Sequence, residues 1–103
     1  MIRVIGGRGV GKTGQLLLIA KEHNATLVCS NPRAMRAKAE AYGITGIPFI
    51  SYSDAIDHMR AFDTREENYQ QYNYIVIDEI EAFIQEALGN HGKLIGYTLS
   101  NED

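Results

Sequence analysis

Two rhythms of hydrophobic and polar positions alternate along this chain of 103 residues. Short continuous apolar runs stand at residues 2–5, 27–29, 47–52, 74–77 and 94–99, each closed by Gly, Ser or Asp. Runs of this length are the pattern of strands buried on both faces of a parallel sheet. Between them the apolar positions fall at helical spacing. Leu16, Leu17, Ile19 and Ala20 follow Lys12-Thr13; Met35, Ala39 and Tyr42 share a second face; Ile56, Met59 and Phe62 a third; Ile80, Phe83, Ile84, Ala87 and Leu88 a fourth. Strands alternating with helices predict an α/β fold: three α/β/α layers around a mostly parallel sheet of about five strands, in a single domain over residues 1–103.

Local signals sharpen the boundaries. Asn31-Pro32 supplies an N-cap and a first-turn proline for the second helix, and Gly43 and Gly89 are placed to stop the second and fourth. Pro48 lies near the start of its run, where a missing N–H is tolerated. Ser53-Asp54-Ala55-Ile56-Asp57 resembles a capping box with Asp in place of Glu, opening the third helix. Residues 63–73 are polar, punctuated by Tyr69 and Tyr72, and form the segment expected to be mobile.

Composition narrows the setting. The hydrophobic fraction of 45% and charged fraction of 22% are ordinary for a globular chain, with no repeat or low-complexity tract. A domain this small buries a reduced share of its surface, so a ligand or partner is expected to contribute to its stability. The net charge of −3 gives no electrostatic footprint for nucleic acid, although a local basic face is compatible with it. The single cysteine, Cys29, sits in an apolar run and reads as a buried thiol in a reducing compartment. There is no secretory h-region at the start and no membrane-length apolar stretch, so the expected location is the cytoplasm and no membrane partner is expected.

The segment Gly6-Gly7-Arg8-Gly9-Val10-Gly11-Lys12-Thr13 fits the pattern G-x-x-x-x-G-K-[ST], and it falls between a predicted strand and a predicted helix, where that pattern has its meaning. Glycines let successive N–H groups converge on a phosphate, and the helix N-terminus adds a favourable dipole. Residues 6–14, ending in Gly14, are therefore the candidate cradle for a nucleoside triphosphate, ATP first. Lys12 would act on the β- and γ-phosphates, and the Thr13 hydroxyl would be a ligand of Mg²⁺. Gly9, Gly11 and Gly14 also fit the dinucleotide fingerprint G-x-G-x-x-G, which calls for an acidic residue at the end of the second strand. Ser30-Asn31-Pro32 stands there instead.

Tyr74-Ile75-Val76-Ile77-Asp78-Glu79 is an apolar strand ending in two acids, the form of a Walker B strand. Asp78 at the carboxyl edge of the sheet would hold Mg²⁺, and Glu79 would orient and deprotonate water. An Asp-Glu pair at a helix start also suits the helix dipole by itself.

With both motifs present, the chain resembles the P-loop NTPases that carry an additional strand and a catalytic glutamate, the RecA-like class, and within it the first motor domain of superfamily 2 helicases. The resemblance covers nearly the whole chain in element order, but its specific motifs are only residues 6–13 and 74–79. It implies Mg²⁺-dependent ATP hydrolysis in a nucleic-acid-related process. It also implies that the strand at residues 94–99 inserts between the phosphate-loop strand and the acidic strand, bringing Thr98 or Ser100 near the nucleotide. No second motor domain follows, and no arginine finger is identifiable among Arg3, Arg8, Arg33, Arg36, Arg60 and Arg65. A protein partner or self-association is therefore expected to supply that charge. Gly14-Gln15-Leu16-Leu17 and the Asp-Glu strand end also resemble RecA-like thymidine kinases, whose zinc-binding cysteines and C-terminal lasso have no counterpart here. A non-catalytic nucleotide-binding module is the alternative of a different class.

The remaining chemistry-bearing residues have plainer readings. Arg33, Arg36 and Lys38 read as a solvated helix face, with a nucleic-acid track as the alternative. Tyr69, Tyr72 and Tyr74 are candidates for base stacking or partner contact. His23, His58 and His91 show no metal-ligand spacing.

Overall fold

The computed structural model describes residues 1–6, 11–63 and 74–100, with side chains described as far as residue 60 and again from residue 74. Phe62, Tyr69 and Tyr72 are thus outside the described side chains, as is nearly all of the segment expected to be mobile.

The chain builds an α/β fold on three all-parallel strands: β1 (Thr26–Cys29), β2 (Phe49–Ser51) and β3 (Ile75–Ile77). Their order is β2-β1-β3, so the most deeply buried strand lies in the centre. Leu27, Val28 and Cys29 are all at most 1% exposed. The register sets Leu27 opposite Phe49 and Val76, and Val28 opposite Ile50 and Ile77. Alternation along the strands then sends Leu27, Cys29, Phe49 and Val76 to one face and Val28, Ile50 and Ile77 to the other.

Each face is covered by two helices. On the first lie α1 (Lys12–His23) and α2 (Pro32–Ala41), which bury Leu17, Ala20, Met35 and Ala39. On the second lie α3 (Tyr52–Asp63) and α4 (Ile80–Leu88), whose Tyr52, Ala55 and Phe83 form a smaller cluster. The Tyr52 and Phe83 rings meet edge to face at 5.6 Å. Arg36 on α2 sits over the Phe49 ring at 5.2 Å, a cation–π contact that engages that guanidinium.

Several boundaries follow directly from side-chain chemistry. Asn31 Oδ1 accepts the Ala34 N–H at 3.1 Å, with Pro32 at the first helical position. Asn24 closes α1 in the left-handed region (φ 54°), a conformation Asn tolerates, and the Ala25 N–H bonds the Ala20 carbonyl at 2.9 Å before β1 begins. The cap of α3 lies two residues earlier than its sequence suggested. Ser51 Oγ accepts the Asp54 N–H at 3.1 Å, because β2 runs into α3 with no intervening loop and Ser51-x-x-Asp54 is the box that fits the turn.

The two outer strands expected from the pattern are absent among the described residues. Residues 94–99 do not join the sheet, since α4 holds them on its own surface. Gln85 Nε2 donates to the Gly92 carbonyl at 2.8 Å, Gln85 Oε1 accepts the Leu94 N–H at 2.7 Å, and the Tyr97 hydroxyl donates to Glu81. One amide side chain thus takes two backbone groups at the start of the expected strand. Residues 2–5, expected as the other strand, are likewise in no ladder. Ile2, Ile5, Ile95 and Leu99 are accordingly 58%, 77%, 94% and 59% exposed. No helix among the described residues is long and apolar enough to cross a membrane.

Candidate functional site

Helix α1 begins abruptly. Gly11 takes φ 76°, a left-handed conformation that favours glycine, and a Cβ built on it would meet nothing within 4 Å. Among the described residues no side chain caps this helix, and no acid stands in its first turn, whereas α2 and α3 have the Asn31 and Ser51 caps. The first N–H groups of any α-helix lack intrahelical partners, so those of Lys12, Thr13 and Gly14 stand at a positive dipole end suited to an anion. Gly6, Gly11, Lys12, Thr13 and Gly14 of the candidate cradle are described; Gly7, Arg8, Gly9 and Val10 lie outside the described residues.

The acidic pair closes β3. The Asp78 N–H still bonds the Val28 carbonyl at 2.9 Å, so Asp78 extends the ladder by one residue and stands at the carboxyl edge. Glu79 then turns into the left-handed region with φ 58°. For a residue with a side chain this costs about 1–2 kcal/mol. Its carbonyl accepts the Phe83 N–H at 3.1 Å, which starts α4. Tyr52 braces the corner from beneath: its hydroxyl, 6% exposed as a residue, donates to the Asp78 carbonyl at 2.6 Å and reaches the Glu79 carbonyl at 3.4 Å. Burial, reinforced by the charges of Asp78 and Glu79, pushes the Tyr52 phenol up to about 12, so it remains a donor throughout the neutral range.

The two motifs meet at this corner. Lys12 Nζ lies 3.8 Å from Glu79 Oε1, a loose and largely exposed ion pair. Such pairs contribute about 0–1 kcal/mol, so Lys12 is readily drawn elsewhere. The Asp78 carboxyl is held above its usual range by partial burial first and by the Glu79 charge second, against lowering by Lys38 and then Lys12. Lys38, which the sequence places on a solvated face, is thus one of the cations that favour the charged form of Asp78. Burial likewise raises the Cys29 thiol, which lies in β1 beside this edge.

Tyr52 and Lys38 are the contributors that periodicity misses. A Tyr at a strand-to-helix junction is a weak cue in retrospect, and nothing local marks Lys38. Thr98 and Ser100 are exposed, on a segment that Leu94 and Tyr97 tie to α4. Open space of about 340 Å³ between α4 and residues 94–97 is lined by Glu81, Gln85, Leu94 and Tyr97 and includes no residue of either motif.

As to a metal, no group of three or more His, Cys, Asp or Glu side chains among the described residues forms a cation cage. The donors present, one half-buried carboxylate at Asp78 and a first-turn hydroxyl at Thr13, suit Mg²⁺, which is commonly held by one or two carboxylates together with substrate phosphates. Comparison with protein-family models, curated proteins and solved structures gives no match, so the reading of this site rests on its own residues.

Proposed function

We propose that this chain binds a nucleoside triphosphate, ATP first, at the N-terminus of α1 and hydrolyses it with Mg²⁺. The observation that carries this reading is the meeting of Lys12, at the end of the glycine-rich motif, with Glu79, at the end of the acidic strand. In this reading the N–H groups at the start of α1 hold phosphate oxygens, and Lys12 leaves its loose pair with Glu79 for the β- and γ-phosphates. Glu79, released, takes a proton from water as the water oxygen bonds the γ-phosphorus and the bond to the β-bridging oxygen breaks. Thr13 and Asp78 would hold Mg²⁺, which when bound supplies charge neutralisation on the phosphate oxygens. Tyr52 keeps the Asp78–Glu79 corner in place without touching substrate.

The finer architecture proposed is a P-loop sheet of the RecA-like class. The open edge of β3 supports it, since this is where residues 94–99 and then 2–5 would add in that class, and both segments carry exposed apolar side chains suited to a sheet. The same exposed apolar side chains are what supports self-association or a protein partner. A nucleic-acid-related process rests on the family resemblance alone.

One observation favours the second reading, a nucleotide-binding module with little turnover. Among the described residues, the cations that act on Asp78 are Lys38 and Lys12, both lysines, and an arginine finger is worth several orders of magnitude in rate.

Single-turnover hydrolysis and ATP binding by wild type, Lys12→Ala and Glu79→Gln separate the readings. The catalytic reading expects Glu79→Gln to bind ATP and not hydrolyse it. Binding without hydrolysis by wild type, even at concentrations that promote self-association, selects the module. Absence of binding removes both.

A further inference from the structure

We propose that Tyr42 is the base platform of this site, its ring stacking on the nucleobase of a triphosphate held at the first turn of α1. This rests on the triphosphate reading above and deepens it, naming what receives the nucleoside. If phosphates occupy the first-turn N–H groups of Lys12, Thr13 and Gly14, the nucleoside leaves them one ribose away, over the surface of that first turn. Tyr42 stands there. A Cβ on Gly14 would lie 3.7 Å from Tyr42 Cζ and 3.9 Å from its Cε2 and Oη, so the outer end of the ring rests beside α1 at ordinary contact distance.

The ring is both fixed and open. Its backbone is the C-cap of α2, with the Tyr42 N–H bonded to the Ala39 and Lys38 carbonyls at 3.0 and 3.2 Å, and the chain then turns away at Gly43 (φ 75°). Yet the residue is 57% exposed, which leaves ring surface available to a ligand. Lys38 lies four residues earlier on the same helical face and adds a cation to the side of α2 that carries the ring. Among the described residues, the other exposed tyrosines are placed elsewhere. Tyr97 donates to Glu81 on α4, and Tyr74 precedes β3 at the sheet edge opposite Asp78.

Every base has a π-face, so a stacking platform gives affinity with little discrimination between bases. Titration calorimetry with ATP, GTP and base-free inorganic triphosphate, on wild type, Tyr42→Ala and Tyr42→Phe, tests this. Tyr42→Ala is expected to weaken ATP and GTP by roughly tenfold or more while leaving inorganic triphosphate within about twofold, and Tyr42→Phe to keep all three close to wild type. Equal loss for inorganic triphosphate and ATP in Tyr42→Ala would make the residue a structural support and overturn the proposal, as would unchanged ATP binding. If wild type binds inorganic triphosphate but ATP no more tightly, the platform alone fails. If it binds neither, the triphosphate reading fails with it.

Discussion

Strand β1 and residues 94–99 are both apolar and rich in strand-forming side chains, yet they end in opposite environments. Leu27 is 0% exposed between two parallel neighbours, and Ile95 is 94% exposed on the outside of α4. Hydropathy does not separate them. What separates them is the fate of their backbone polar groups. Every N–H and C=O of a strand needs a partner, and β1 finds a ladder on each side. The 94–99 segment is met first by Gln85, whose amide imitates a ladder for Gly92 and Leu94 without offering a sheet to continue.

The largest test of that contrast is a pair of truncations read by urea unfolding. Leu27→Ala should cost about 2–5 kcal/mol, as buried leucines do when a cavity is left. Ile95→Ala should stay within about 0.5 kcal/mol, as exposed positions do. An Ile95→Ala cost comparable to that of Leu27→Ala would mean that the segment packs in solution, and would break the comparison.

A smaller effect is expected where the central block supports the acidic corner. Tyr52→Phe keeps the ring against Phe83 and removes the donor to the Asp78 carbonyl, which should cost about 1–2 kcal/mol by the same measurement. Gly14→Ala should act in the opposite direction. Its backbone is helical and the nearest described atoms to its Cβ would be those of Tyr42, from 3.7 Å, so stability should rise by about 0.5–1 kcal/mol.

The smallest and most diagnostic effect concerns pH. Asp78 is raised in the folded state, chiefly by burial and then by the Glu79 charge. A carboxyl raised in this way adds stability when protonated, at pH below its unfolded value, and the contribution is lost as pH rises through its folded value. Asp78→Asn never ionises and should therefore melt above wild type at neutral pH, the difference closing as pH falls into the carboxylate range. A gap that persists in acid would assign the effect to packing instead.

Much of the central block is legible in the sequence, because its determinants are local. The apolar run at residues 27–29, the Asn31-Pro32 cap, and the helical stripes through Leu17 and Ala20 and through Met35 and Ala39 each state their own element. The outer strands are not legible in the same way, since their pairing depends on competition from Gln85 and Glu81, which only the fold brings near. The site divides along the same line. Lys12, Thr13, Asp78 and Glu79 stand in motifs whose spacing implies their chemistry. Tyr52, Lys38 and Tyr42 act across elements, through a hydrogen bond, a charge and a ring contact with no sequence periodicity.

The central claim is that the uncapped start of α1, with Lys12, holds a triphosphate. Equilibrium titration of ATP in Mg²⁺ into wild type and Lys12→Ala tests it most directly. Wild type is expected to bind saturably, and Lys12→Ala to bind at least roughly tenfold more weakly, about 1.4 kcal/mol. Equal binding by the two proteins, or none by wild type, would contradict it.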